Sequence, residues 1–166
     1  MYKKISPDFF PPTWDVASDI ERIRGGRKPE TIFDVGSNIG QMAGYFHQKI
    51  PRADIFCFEP IGESYRQLSN SFTDHQQIQC FQLALRARPE EKTIILNPNS
   101  QQNFLLDGLT ESKGDSEKSE IVHIEALDNF CGERGIENID LLKIDTEGYE
   151  LEVFQGAARF LEERSR

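Results

Sequence analysis

The stretch TIFDVGSNIGQ, Thr31–Gln41, decides how the chain is read. Residues suited to a buried strand run into a tight Gly-Ser-Asn-Ile-Gly turn, and the residues after Gly40 have helical character. Strand, glycine turn and helix in that order aim unpaired backbone N–H groups beyond the carboxyl edge of a sheet. Open parallel sheets bind ligands at that edge, where the strand order reverses. Gly36 is expected to let the backbone approach a ligand closely, Asn38 to cap the helix or hold a ligand, and Gly40 to let the helix pack close to the strand.

Working outward, the same alternation repeats. ADIFCFEP reads as a strand, GESYRQLSNSF as a helix and IQCFQLAL as one further strand. Upstream, FFPPTWD breaks regular structure and DVASDIERIRGG reads as a short amphipathic helix stopped by Gly25 and Gly26. Residues 1–30 therefore form a helical lead-in. Downstream, EEKTIILNP is an added strand and IVHIEAL another, separated by a polar tract. Residues 97–119 are assigned to an insertion loop, solvated rather than acting as a substrate lid. NIDLLKIDTEGYE then supplies a strand and turn, and LEVFQGAARFLEERSR a single last helix. Strands alternating with helices indicate βαβ units, so the expected fold is α/β: a doubly wound, mostly parallel sheet in one domain spanning residues 1–166.

Composition narrows the function. With 37% apolar and 28% charged residues in 166, the chain suits one globular domain, and no apolar run reaches the roughly 20 residues a membrane span needs. The N-terminal MYKKISPDFF lacks the apolar segment of a secretory signal, so a cytoplasmic location with no membrane partner is expected. A net charge of −9 argues against nucleic acid as a partner, because such binding rests on neutralising phosphates with Lys and Arg. Cys57, Cys80 and Cys131 are an odd number at wide spacing, which suggests neither a disulfide framework nor zinc. His47, His75 and His123 read as structural, and no metal is expected.

The ligand is read from the acids. A dinucleotide turn carries G-x-G-x-x-G, whereas here Gly36 and Gly40 enclose Ser37, Asn38 and Ile39. The absent third glycine disfavours an NAD-dependent oxidoreductase. Asp34 stands just before the turn, and Glu59 ends the next strand, where a carboxylate can accept both hydrogen bonds of a ribose diol. S-adenosylmethionine carries an amino group, a sulfonium and a ribose but no phosphate, and so suits an acidic, glycine-poor loop. Within LLKIDTEGYE, period two puts Leu141, Lys143 and Asp145 on one face of the strand. A lysine and an aspartate at the end of a buried strand are costly unless they pair or face a cleft. The alternatives are an ion pair between Lys143 and Asp145, or carboxylates of Asp145 and Glu147 standing at the same rim as Asp34 and Glu59.

FDVGSNIGQ, FEP, EALDNF and IDLLKIDTEGYELEVFQGA, in that order from about Ile32 to Leu161, resemble the FkbM-type family of S-adenosylmethionine-dependent methyltransferases. KIDTEGYE with its trailing GA is the most specific part. The resemblance implies a class I methyltransferase (Rossmann-like) fold and methyl transfer to a hydroxyl oxygen of a sugar or secondary metabolite. It assigns Asp34, Gly36, Ser37, Asn38, Gly40, Glu59, Pro60 and Ala84 to the cofactor, with Glu59 on the ribose and Asp145 and Glu147 near the reacting methyl. The chain departs from the family pattern at Gln82, where an asparagine often precedes the AL pair. It also stops one helix after DTEG, so the last strands of the fold are expected to be lacking and a second copy of the chain could cover the LLKI edge. In-line transfer needs alignment of acceptor oxygen, methyl and sulfur, with Asp145 as the base, Glu147 second and Lys143 orienting the acid. The rival expectation is a truncated module that binds the donor, or only a partner protein, without turnover.

Overall fold

Side-chain alternation along the buried strands creates two apolar cores, one on each face of a sheet. The computed structural model describes residues 15–96 and 118–162. In chain order it holds α1 (Val16–Ile23), β1 (Thr31–Val35), α2 (Gln41–Lys49), β2 (Asp54–Phe58), α3 (Gly62–Ser71) and β3 (Ile78–Phe81). Next come β4 (Ala84–Arg86), β5 (Glu90–Leu96), β6 (Lys118–Ala126), α4 (Leu127–Arg134), β7 (Leu141–Ile144), α5 (Glu150–Gln155) and α6 (Ala158–Glu162). Four parallel strands pair in the order β3-β2-β1-β7, and a smaller sheet has the order β4-β6-β5. Among the described residues β7 has β1 on one side and forms an edge of the larger sheet.

Ile32, Ile55 and Cys57 point to the face covered by α2 and α3, where they pack with Ala43, Phe46 and Leu68. Phe33, Val35, Phe56 and Phe58 point the other way, against Leu127, Phe130 and Val153 of α4 and α5. Helices therefore cover both faces, as a doubly wound sheet requires. Phe130 meets Phe58 and Phe81 edge-on at 4.8 and 4.9 Å. Each such pair adds about 0.5–1.5 kcal/mol beyond the area it buries.

The structure corrects several expectations. IQCFQLAL is two strands: after Phe81 the chain leaves β2, and Ala84–Arg86 finds a new parallel partner in β6. The strand reading of IVHIEAL places no helix after it, yet α4 begins directly at its end. Leu127, Phe130 and Cys131 are buried at i, i+3 and i+4, and that spacing is the legible sign of the helix. The last helix is interrupted at Gly156–Ala157. A Cβ on Gly156 would lie 2.1 Å from the Arg86 carbonyl oxygen, so close packing of α5 on β4 excludes any side chain there. Residues 97–117 of the expected loop and residues 1–14 of the lead-in lie outside the described residues, and residues 118 and 119 are already strand.

Asp140 fastens the lower ends of the central strands. Its carboxylate accepts from Arg24 Nη2 at 2.6 Å, from the backbone N–H groups of Glu30 and Thr31 at 2.8 and 3.2 Å, and from Asn138 at 2.9 Å. Burial pushes this carboxyl up, but the donors of Glu30, Asn138, Arg24 and Thr31 outweigh it and hold the pKa at about 2, below the ordinary 3.8. A carboxyl depressed in the folded state contributes stability above its unfolded pKa and loses it as pH falls through the folded value. Asp140→Asn should therefore lower stability at neutral pH, and its deficit against the native chain should shrink between about pH 4 and pH 2. Urea unfolding at a series of pH values measures this.

Candidate functional site

Four strands end at a common rim, and the two central loops there are bound to each other by backbone. Asp145 N donates to Val35 O at 2.9 Å, which carries the β1–β7 ladder one residue past the strand. Gly36 then turns with φ +75°, and a Cβ on it would stand 2.0 Å from the Asp145 carbonyl oxygen. The first glycine of the turn is thus required by the neighbouring loop of the chain itself, in addition to bordering a cavity. Gly36 N and Ser37 N both donate to Phe58 O at 3.0 Å, so the turn is also tied to β2.

Beneath this junction lies an ion pair. Asp34 is fully buried, and Lys143 Nζ lies 2.9 Å from its Oδ1. The same ammonium donates to Gly36 O at 3.0 Å and stands 3.8 Å from Asp145 Oδ2. Ser37 Oγ donates to the Asp34 backbone carbonyl at 2.6 Å, and neither Asp34 carboxylate oxygen has a well-aligned hydrogen bond. Burial raises the Asp34 pKa, and Lys143 is the main influence opposing that rise. Of the two arrangements open for Lys143, the close partner is Asp34 and the longer contact is Asp145.

Glu59, at the end of β2, holds two loops in place. Its Oε2 accepts from Asn38 N and its Oε1 from Ile61 N, both at 2.9 Å. Burial raises its pKa, the two N–H groups pull it back, and the charges of Glu120 and Asp34 add to the rise. A carboxylate has about four acceptor sites, so two remain for a ligand. Asn38 has φ +50° and contributes its backbone N–H to Glu59. It does not cap α2, whose N-cap is Gly40 without a side-chain hydrogen bond. A Cβ on Gly40 would lie 2.5 Å from the Phe72 ring and 2.8 Å from Leu68, so this glycine accommodates α3 side chains and the turn after α3, not the strand.

The cavity, of about 160 Å³, opens between these loops. Of the residues expected at the site, Gly36, Asn38, Glu59, Pro60, Ala84, Asp145 and Glu147 line it. Asp34, Ser37, Gly40 and Lys143 do not; they support the lining from behind. Glu147 has φ +54° at the cavity edge, and the Glu150 carboxylate accepts from Thr146 N at 3.2 Å and Gly148 N at 3.1 Å, holding that loop. The Asp145 side chain is 72% exposed on the rim.

Sequence reasoning missed one wall. Arg86, 3% exposed, lies 4.3 Å above the Tyr149 ring and pairs with Glu152, donating from Nη2 to Oε1 at 2.8 Å; both Arg86 and Tyr149 border the cavity. An arginine closing the apolar run LAL, with an acid in the following YELE, was the available signal. Among the described residues no cluster of three or more His, Cys, Asp or Glu could hold a metal ion, and no helix is long and apolar enough to cross a membrane.

A parallel sheet in this order, with a glycine turn after β1 and an acid ending β2, has the doubly wound architecture of class I methyltransferases. Residues 34–166 match the family described as the methyltransferase FkbM domain, and the chain belongs to that family of S-adenosylmethionine-dependent enzymes. It is 29% identical over 158 residues to the AMB antimetabolite synthetase AmbE of Pseudomonas aeruginosa, covering 75% of this chain and 7% of the relative. It is 27% identical over 148 residues to the 2-O-methyltransferase NoeI of Sinorhizobium fredii, covering 81% of this chain and 60% of that one. The chain thus spans at most 60% of the length of these curated relatives. A solved structure, the plantazolicin methyltransferase BpumL with a desmethyl analogue and SAH, matches with TM-score 0.34 and 20% identity over 42% of this chain and 31% of its own.

Replacing Lys143 by methionine would leave Asp34 buried without its counter-charge, a change that costs about 3–5 kcal/mol. With Lys143 gone the Asp34 pKa rises further. A carboxyl raised in the folded state favours folding when protonated, so the deficit should be smallest near pH 4 and grow as pH rises above the unfolded value of about 3.9. Denaturant unfolding of the variant and the native chain at several pH values checks both the size and the sign.

Proposed function

We propose that this chain binds S-adenosylmethionine in the cavity between Gly36, Glu59 and Asp145 and transfers its methyl group to a hydroxyl oxygen of a sugar or secondary metabolite. The observation that carries this reading is the meeting of those three residues at one cavity on the carboxyl side of the sheet. Glu59 accepts the ribose diol on its two remaining acceptor sites, and the Asn38 and Ile61 N–H groups fix its orientation beforehand. Pro60 and Ala84 border the adenosyl portion. The carboxylates of Glu59, Asp145 and Glu147 favour the positively charged amino and sulfonium groups of the donor. Arg86, the cation of the lining, is already engaged by Glu152.

The donor supplies an electrophilic methyl group. What the chain adds is alignment and a proton acceptor. Asp145 stands on the exposed rim, with Lys143 holding its loop against Gly36, and would take the proton from the acceptor hydroxyl as that oxygen gains the methyl. Glu147, at the cavity edge, is the second candidate for the base. The relative named as a 2-O-methyltransferase supports oxygen as the accepting atom.

Calorimetric titration should show binding of both S-adenosylmethionine and its demethylated product S-adenosylhomocysteine. Glu59→Gln should weaken both about 10- to 100-fold, the loss expected when a charged hydrogen-bond partner of about 1.5–3 kcal/mol is neutralised. Binding of neither ligand by the folded native chain overturns the proposal. With an accepted hydroxyl substrate, Asp145→Asn should lower kcat about 10²- to 10⁴-fold, a larger effect than the weakening of donor binding that losing its charge brings. An unchanged kcat removes Asp145 as the base.

A further inference from the structure

The register of the large sheet places Lys143, Asp34, Cys57 and Cys80 in one row, each the paired neighbour of the next across β7, β1, β2 and β3. The first two form the ion pair beneath the glycine turn. The last two are free thiols on adjacent strands whose side chains face the same core. We propose that Cys57 and Cys80 are a redox pair that closes to a disulfide when Cys80 meets a hydroperoxide.

Adjacent strands lie about 4.7–4.9 Å apart, and a disulfide accepts Cα separations of about 4.4–6.8 Å, so paired positions on one face lie within its reach. Access separates the two partners. Cys57 is completely buried, whereas Cys80 is only partly buried and sits on β3, the outer strand of this sheet beside β2. An oxidant from solvent reaches Cys80 first. The thiols also divide the chemistry: the influence of the neighbouring Cys57 thiol lowers the Cys80 pKa, while Cys80 and burial together push Cys57 well above its usual value. The more reachable sulfur is thus the better thiolate. Cys131 is an internal control, since it lies in the core on the opposite face with its thiol pushed up to about 12 by burial and by Asp128.

In the first step the Cys80 thiolate attacks one peroxide oxygen, an S–O bond forms and the O–O bond breaks. The peroxide is reduced, leaving as hydroxide that takes up the thiol's proton to become water, and the sulfur becomes a sulfenic acid. In the second step the Cys57 sulfur attacks the Cys80 sulfur, an S–S bond forms and the S–O bond breaks. The departing hydroxide takes the Cys57 proton as a second water. The product staples β3 to β2, whose next residues are Phe58, the acceptor for the Gly36 turn, and Glu59.

The test is intact-mass and non-reducing peptide mapping of the full chain after brief exposure to dilute hydrogen peroxide. The native chain should lose two hydrogen atoms, yield one peptide pair joined through Cys57 and Cys80, and revert with dithiothreitol. Cys80→Ser, at a partly exposed position that tolerates the change, should show no such loss, and Cys131→Ala should behave as the native chain. Cys57→Ser, where it folds, should leave a Cys80 sulfenic acid that dimedone traps. Conversion of native Cys80 to a dimedone adduct or sulfinic acid without an internal cross-link overturns the proposal. So does a cross-link that joins Cys80 to Cys131 or to a second chain.

Discussion

The Lys143 ammonium is the point on which the candidate site depends. It lies between a fully buried carboxylate, the carbonyl of the turn glycine and the rim carboxylate of Asp145. Taking Asp34 out of water is unfavourable, and a counter-charge from the neighbouring strand is what makes it tolerable. Because Asp34 and Lys143 are register partners, the pair also fixes how β1 and β7 slide against each other. A slip of β7 by one residue would turn Lys143 toward the aromatic core on the opposite face and leave Asp34 buried without it. The pair therefore does more for the alignment of the two loops above it than for net stability.

That arrangement explains why the cavity can be lined by acids at all. Glu59 is oriented by two backbone donors, and the loop carrying Asp145 and Glu147 is held by the Glu150 carboxylate beneath it. Glu59 is held in part from the turn after β1, and the Asp145 backbone is tied to Val35 of β1. The Glu59 carboxylate and the backbone of the Asp145 loop are thus oriented by the chain itself, the arrangement that electrostatic preorganisation requires.

Much of this is legible in the sequence for a physical reason. Strands buried on both faces alternate with helices in a pattern few other folds share, so β1, α2, β2, α3 and β7 can be placed from local residues. The positions of Gly36, Glu59 and Asp145 at strand ends come from that pattern. Contacts distant in sequence are not legible. Nothing local says that Asp34 turns to Lys143 and away from the cavity, that Gly36 is small because Asp145 lies against it, or that Gly40 makes room for Phe72. The split of IQCFQLAL depends on where β6 lies, and the Arg86–Tyr149 wall depends on α5 packing against β4. The helix α4 is a different kind of miss, since its buried Leu127, Phe130 and Cys131 stand at helical spacing in the sequence itself.

Gly156 borders no part of the cavity, yet its bare α-carbon lets α5 settle onto the Arg86 backbone, and α5 carries the Glu152 that grips Arg86. Evolutionary drift at this position is thereby constrained from a distance. An alanine would lever the helix outward and tilt the aromatic panel that Arg86 and Tyr149 form, altering the shape presented to a bound molecule without touching it. The shape of the cavity is then governed partly by a helix seam outside it, which attention confined to cavity-facing positions would overlook.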